Sequence, residues 1–429
     1  TGSGHPFAIR VSNGGSAYTN GVTGNNQGIQ FFTVPYDAPA KIFYQCTIHG
    51  GMIGNIYIRG AAGNNTNVGV TTFSSAVTAT EFVPTVAQLA HRNRIHNGGM
   101  TIAQRIGDTE TTLTHNNWTQ TVDRWKCYEN TEATITATRV HGSYPTAGTN
   151  PSSHSAHRLK VTTADSSIGS SQQFMFAQII EGFNWQDLRW GTSAAKTVTL
   201  SFSVLATGAS ASNVTGTYCV QCTNPNSYDR AYIKEYTIDA IDVWKRVTLT
   251  FPGDTSGTWS TGINPACRFA WFLAAGSNHH GSANSWGAFK ATTSNQKNFL
   301  GNVNNFIFIT DVQVEEGTVA TPFETKPFTT ELQLCQRYYV KDATTREGSG
   351  YGVVTGSLDS IVGIQVDFPV TMRDTPSLTL NGTTYRTGGS ANAQRISPTG
   401  FIWGRKQTGS GTFNGVAYAT GGYEVVAEL

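Results

Sequence analysis

Charge is scarce in this chain. Its 429 residues hold 29 Lys+Arg and 27 Asp+Glu, a charged share of 13% that is about half the usual one. The formal net charge is +2, so there is no basic footprint for nucleic acid or an anionic membrane. No apolar run approaches the ~20 residues of a membrane helix, and Thr1 opens no signal-peptide pattern. Cysteine is sparse and scattered, at Cys46, Cys127, Cys219, Cys222, Cys267 and Cys335, which excludes a dense disulfide framework. Catalytic motifs are missing as well. Neither G-x-S-x-G nor H-E-x-x-H occurs. Glu181 and Asp187 flank a Trp-bearing loop, but surface carboxylates are the commoner explanation of such a pair. Cys219 and Cys222 have zinc-like spacing without a second pair, and residues three apart on a strand face opposite sides. His279-His280 sits in a Gly/Ser/Asn loop. The chain reads as a non-enzyme.

What remains is sheet and turn chemistry. Glycine numbers 46 and aromatics make up 11%; many aromatics with little charge argue against disorder. Short runs of β-branched and aromatic residues recur between Gly/Asn/Ser turns. In residues 93–328 these include 135–140, 156–162, 172–180, 197–205, 217–222, 245–251, 267–274 and 307–314. The fold class is all-β. Four spans follow from composition: a β segment over 1–60, a turn-rich neck over 61–92, a large sandwich over 93–328 and a small β tip over 329–429. A short helix after Pro84 is expected in the neck. In the tip, 357–368 alternates, Asn381-Gly382 signals a hairpin, and a polar loop is expected over 407–415.

The stretch Asn305 to Val340 organises the rest. It opens as a strand, leaves the sheet through Glu315-Glu316-Gly317, and takes an extended path past Pro322 and Pro327. Its pattern, DVQVEEGTVATPFE followed by ELQLCQRYY, resembles a module of bacteriophage tail-fibre and other virion structural proteins. Three earlier pieces resemble that module in the same order. They are Asn93 to Met100 with Gln104-Arg105, then Val122 to Trp125, then Phe251 to Trp259. The resemblance covers about 93–339. It implies a jelly roll, similar in architecture to carbohydrate-binding modules, within a homotrimeric appendage made in a bacterial host cytoplasm and carried on the virion. It supplies no catalytic residue. Thiols are then expected at all six cysteines.

A second resemblance lies in Cys46-Thr-Ile-His49-Gly-Gly-Met52, set between two expected strands. It is similar to the short copper loop of cupredoxins of the amicyanin type. That resemblance implies copper held by His5, Cys46 and His49 with Met52 as the long axial ligand. Tyr44 alternates onto the Cys46 face. Too few residues precede His5 for the opening strands of a cupredoxin. The expectation is a partial cupredoxin-like sandwich, completed by an upstream part of a longer polypeptide or by a neighbouring chain.

Adhesion is the function these readings imply: the distal part of a trimeric tail fibre contacting a host-surface glycan or protein, with other tail or capsid proteins as partners. Aromatics near polar loops are the candidate contacts, because sugar rings stack on them. They are Trp185, Trp190 and Trp286 in the sandwich and Tyr385, Trp403, Phe413 and Tyr418 in the tip. A capsid-attached head fibre or decoration protein, a copper redox protein and a glycan-degrading spike remain the alternatives.

Overall fold

The strand Phe306–Glu316 changes phase midway. Ile307 and Ile309 enter the main core, and so do Val312 and Val314. Strict alternation cannot bury both pairs on one face. A bulge reconciles them: Asp311 takes φ +51°, and the register against the neighbouring strand shifts between Ser201 and Ser203. The bulge also aims the Asp311 carboxylate at the amides of Ser152 and Ser153, 2.5 and 2.9 Å away.

The computed structural model describes residues 4–35, 37–58, 91–344, 346–354, 360–381, 383–385, 392–407, 411–419 and 422–429, with side chains described outside 345–363, 382–392 and 404–421. The chain is all-β apart from short helices. It divides into Thr1–Val83 and Pro84–Leu429. The expected neck and its helix after Pro84 fall almost wholly outside the described residues.

In the second unit two sheets face one another. The seven-stranded sheet runs, in order, Ala147–Gly148, Val243–Phe251, Val198–Thr207, Phe306–Glu316, Ser155–Thr163, Thr134–His141 and Thr111–Thr112. The six-stranded sheet runs Ala231–Ile238, Gly216–Thr223, Pro265–Ala275, Gln173–Glu181, Lys126–Glu129 and Asn117–Gln120. Their inner faces share one core, with Trp125, Phe176, Phe202 and Trp271 fully buried at its centre. The Trp125 and Phe176 rings stack at 4.5 Å. Each strand expected from sequence is present within a few residues. Five strands lie outside the expected runs: Ala231–Ile238, whose AYIKEYTI carries Lys234 and Glu235 mid-run and reads as polar, and the short Thr111–Thr112, Asn117–Gln120, Lys126–Glu129 and Ala147–Gly148.

Past Glu316 the chain turns at Gly317, φ +107°, runs through bends without regular structure to Pro327, and then forms a helix over Phe328–Gln336. Proline is compatible with a helix start because its missing N–H needs no partner there. The tip follows as three three-stranded sheets. Its core gathers Val340, Val366, Phe368, Phe401, Trp403, Tyr423 and Val425. A strand, Arg346–Val354, runs through Gly348, Gly350 and Gly352. The polar loop expected over 407–415 is partly strand, Gly411–Ala419. The expected turn at Gly382 lies outside the described residues.

The first unit pairs Phe7–Arg10, Lys41–Cys46 and Ile53–Tyr57 in one sheet, beside a hairpin of Val22–Gly24 and Gln30–Phe32. Among its described apolar side chains Pro6, Ile9, Ile42 and Cys46 are buried, while Phe31, Tyr44 and Met52 stay about half-exposed or more. One side of the sheet opens onto a cavity of about 700 Å³ lined by Phe7, Ile9, Tyr44, Ile53 and Ile56.

Candidate metal centre and a buried polar clamp

Cys46 ends its strand and His49 sits in the tight turn that follows, where the Met52 amide donates to the His49 carbonyl at 3.0 Å. The sheet is held across this turn by Cys46 N–H to Met52 O at 2.9 Å and Thr47 N–H to Pro6 O at 2.7 Å. The second contact brings His5 alongside. The His5 and His49 rings lie 4.9 Å apart, and the ligand atoms of His5, Cys46 and His49 all fall within 4.8 Å of one another. Cys46 Sγ is 3.7 Å from His49 Nδ1 and accepts the His49 backbone N–H at 3.3 Å. Met52 and Tyr44 line the same cavity as His5 and Cys46. One thiol and two imidazoles with a thioether nearby are the donor set of a copper site. The residues present fit that ion.

The motif residues of 93–125 and 311–339 converge elsewhere, on a polar network between the sandwich and the tip, whereas Asp254 of the Phe251 to Trp259 motif pairs with Arg230. Asn97 is the hub of that network. Its Nδ2 donates to Ile102 O and Asp123 O, its Oδ1 accepts from Ile102 N, and its carbonyl accepts from Trp125 Nε1 at 3.0 Å. Its own amide donates to Glu331 of the helix. Asn93 bridges to the strand Phe306–Glu316 by Nδ2 to Val312 O and by accepting from Val314 N, both at 3.0 Å. Gly98 must be glycine here, since a Cβ would stand 2.0 Å from Val312 O. Glu324 accepts the amides of His91 and Asn93, and Thr321 donates to Glu315. Gln104 Nε2 joins Asp123 to the Tyr339 carbonyl.

Charge pairs complete the clamp. Arg337 holds Glu181 through two bonds of 3.0 and 2.6 Å, and Tyr338 donates to the same carboxylate at 2.5 Å. Arg124 and Arg105 both pair with Glu428. Burial alone would raise the Glu428 carboxyl; Arg124, Arg105 and Lys126 outweigh it and hold it low. Arg124 takes φ +73°, at a cost of about 1–2 kcal/mol for a residue with a Cβ. Burial, then Arg124, Lys326 and Arg337, depress His96 well below the usual imidazole range.

Several expected contact residues lie elsewhere than the loops implied. Trp185 and Trp190 are 1% and 6% exposed. Their rings meet each other edge-to-face at 4.8 Å, and Trp190 also meets Trp259 at 4.8 Å and Trp286 at 5.3 Å. Trp185 and Trp190 both border a cleft of about 310 Å³ with Trp259, but so little of either ring is exposed that the two do not offer free stacking surfaces. Trp286 is half-buried and donates to Pro252 O. Trp403 is 1% exposed in the tip core, so it too offers no free stacking surface. Tyr385, Phe413 and Tyr418 stand on strands rather than loops, and their side chains lie outside the described set. Glu181 and Asp187 are both held in ion pairs, to Arg337 and Arg94. Cys219 faces outward to Thr293, and Cys222 faces inward to Cys267. No helix is long and apolar enough to cross a membrane among the described residues.

No protein-family model matches the sequence, and no curated protein matches it. Solved structures similar to it include the enzymatically active domain of bacteriophage CBA120 tailspike protein 4, at 11% identity and TM-score 0.27, covering 53% of this chain and 22% of that one. TmCBM61 in complex with β-1,4-galactotriose matches at 10% identity and TM-score 0.26, covering 53% of this chain and 99% of that one. A carbohydrate-binding module of the β-sandwich superfamily matches at 10% and 0.24, covering 72% and 84%. The chain thus spans only 22% of the tailspike domain's length.

Proposed function

We propose that this chain is the distal part of a virion appendage, a homotrimeric fibre that adheres to a host-cell surface. The observation that carries the reading is the clamp. The fibre-like motifs within residues 93–125 and 311–339 meet in one buried network whose members bind backbone and each other, while Phe251 to Trp259 lies outside it, with Asp254 on Arg230. Such a network fixes a tip on a sandwich and leaves its carboxylates paired, which suits display rather than catalysis. Repetition of weak contacts on three chains raises avidity through effective concentration. Attachment to a tail or to a capsid leaves this work unchanged. The test is the mass of the assembly in solution, followed by binding of the labelled protein to a panel of bacterial cells. Three chains and strain-selective binding are expected. A stable monomer that binds no cells would overturn the reading.

A second reading concerns the first unit alone and rests on the Cys–His cluster. His5, Cys46 and His49 would hold copper with Met52 near, and a bound copper ion would supply one-electron redox chemistry. The chain's own part is to keep the Cys46 sulfur buried and hydrogen-bonded by the His49 amide.

A further inference from the structure

The outer face of the six-stranded sheet holds a guanidinium without a carboxylate. Arg268 is 2% exposed, and no acidic group pairs with it among the described residues. Its NH2 donates to Gln221 Oε1 at 3.0 Å, its Nε has no partner, and only the Tyr228 hydroxyl adds to its bonding. A buried unpaired charge costs several kcal/mol in a folded protein, so an uncompensated one marks a place where an anion would be welcome. Aromatic rings frame it: Tyr228 at 5.3 Å, Phe289 at 5.9 Å and Trp118 at 6.0 Å from the guanidinium carbon. Tyr228 is 45% exposed and covers the guanidinium from a turn in which its own φ is +54°. Across the low ground of Ala177 and Ala270, Lys126 Nζ stands 4.7 Å from the Trp118 ring centre and donates one of its hydrogens to Leu429 O at 2.7 Å. Gln120, opposite Lys126 on the same face, keeps a buried carbonyl oxygen without a donor.

From these groups we infer that this face binds a carboxylate-bearing sugar, the acid on Arg268 and Lys126, the ring against Trp118, and a hydroxyl on Gln120 Oε1. Guanidinium and carboxylate match in geometry, and a pyranose offers an apolar face to an indole. A simple inorganic anion would use the charge and leave Trp118 and Gln120 idle. The inference rests on the adhesion reading and names its ligand class.

The experiment is an array of oligosaccharides containing uronic or sialic acids beside their neutral counterparts, with hits titrated by tryptophan fluorescence. Acidic sugars should bind and neutral ones should not. Arg268→Met should weaken acidic-sugar binding roughly tenfold to a hundredfold, the worth of a charge-assisted hydrogen bond, with the melting temperature held or raised. If Arg268→Met does not fold, Trp118→Ala must show the weakening. Equal binding of acidic and neutral sugars, no binding of either, or full binding by the variants would overturn the inference. Cell adsorption separates the two readings: a protein that adsorbs to cells equally as wild type and Arg268→Met keeps its adhesion function and loses this site. One that binds acidic sugars but no cells keeps the site and loses the fibre.

Discussion

The guanidinium of Arg124 lies 3.5 Å from the ring centre of Tyr338, joining the second sequence motif to the last. The same arginine donates to the Ile179 carbonyl at 2.7 Å and pairs with Glu428. Sandwich, helix exit and the residues just past the final strand, Tyr423–Val426, therefore meet at one side chain. Lysine has neither the plane nor the fork for this.

Arg124→Met should destabilise the chain by about 3 kcal/mol, because Glu428 stays buried with one fewer partner. Tyr338→Phe should cost less, about 1.5–3 kcal/mol for a hydrogen bond to a buried charge. Denaturant unfolding measures both. Limited proteolysis should also release the tip earlier in the Arg124 variant. Wild-type behaviour of both variants would remove the clamp from the account.

His157 should make the sandwich acid-sensitive. It is fully buried against Phe176, with rings stacked at 4.6 Å and neither nitrogen bonded. Burial lowers its pKa from 6.5 to about 3. Below 6.5 the unfolded chain takes up a proton that the folded chain refuses. Stability therefore falls as pH drops from 6.5 toward 3, by about 1.4 kcal/mol per pH unit for this group. His157→Phe should flatten the acid limb by one proton and leave the slope above pH 7 unchanged. Identical pH profiles would refute this.

Trp190→Ala should act on stability and not on adhesion. Its ring supports Trp185, Trp259 and Trp286, so its loss should cost about 3–5 kcal/mol. Thermal unfolding reads the cost, and cell binding by the folded variant should match wild type. A stable variant with lost binding would return Trp190 to the contact surface.

Copper loading tests the first unit. One copper per chain by metal analysis is expected, with a visible absorption that Cys46→Ser abolishes. Met52→Leu should retain the metal and shift the spectrum, since an axial ligand tunes rather than holds the ion. A colourless, metal-free protein after loading would dismiss the second reading.

Period and composition alone determined much of this protein. Alternating β-branched and aromatic runs between turn residues marked the all-β class and most of the long sandwich strands, because a strand's side-chain period is local. The spacing of Cys46, His49 and Met52 marked a loop, and its partner His5 was legible from the resemblance. Tertiary structure decided the rest. Whether Trp185, Trp190 and Trp403 are contacts or core depends on which rings cover them, and those rings come from distant segments. The bulge at Asp311 depends on a neighbouring strand for its register. The clamp joins Asn97, Arg124, Glu181, Glu331, Tyr338 and Glu428, which are remote in sequence and meet only once two sheets and a helix have packed. Arg268 reads in sequence as an ordinary strand arginine. Only packing shows it buried and without an acid, since desolvation and pairing are properties of neighbours rather than of the residue itself.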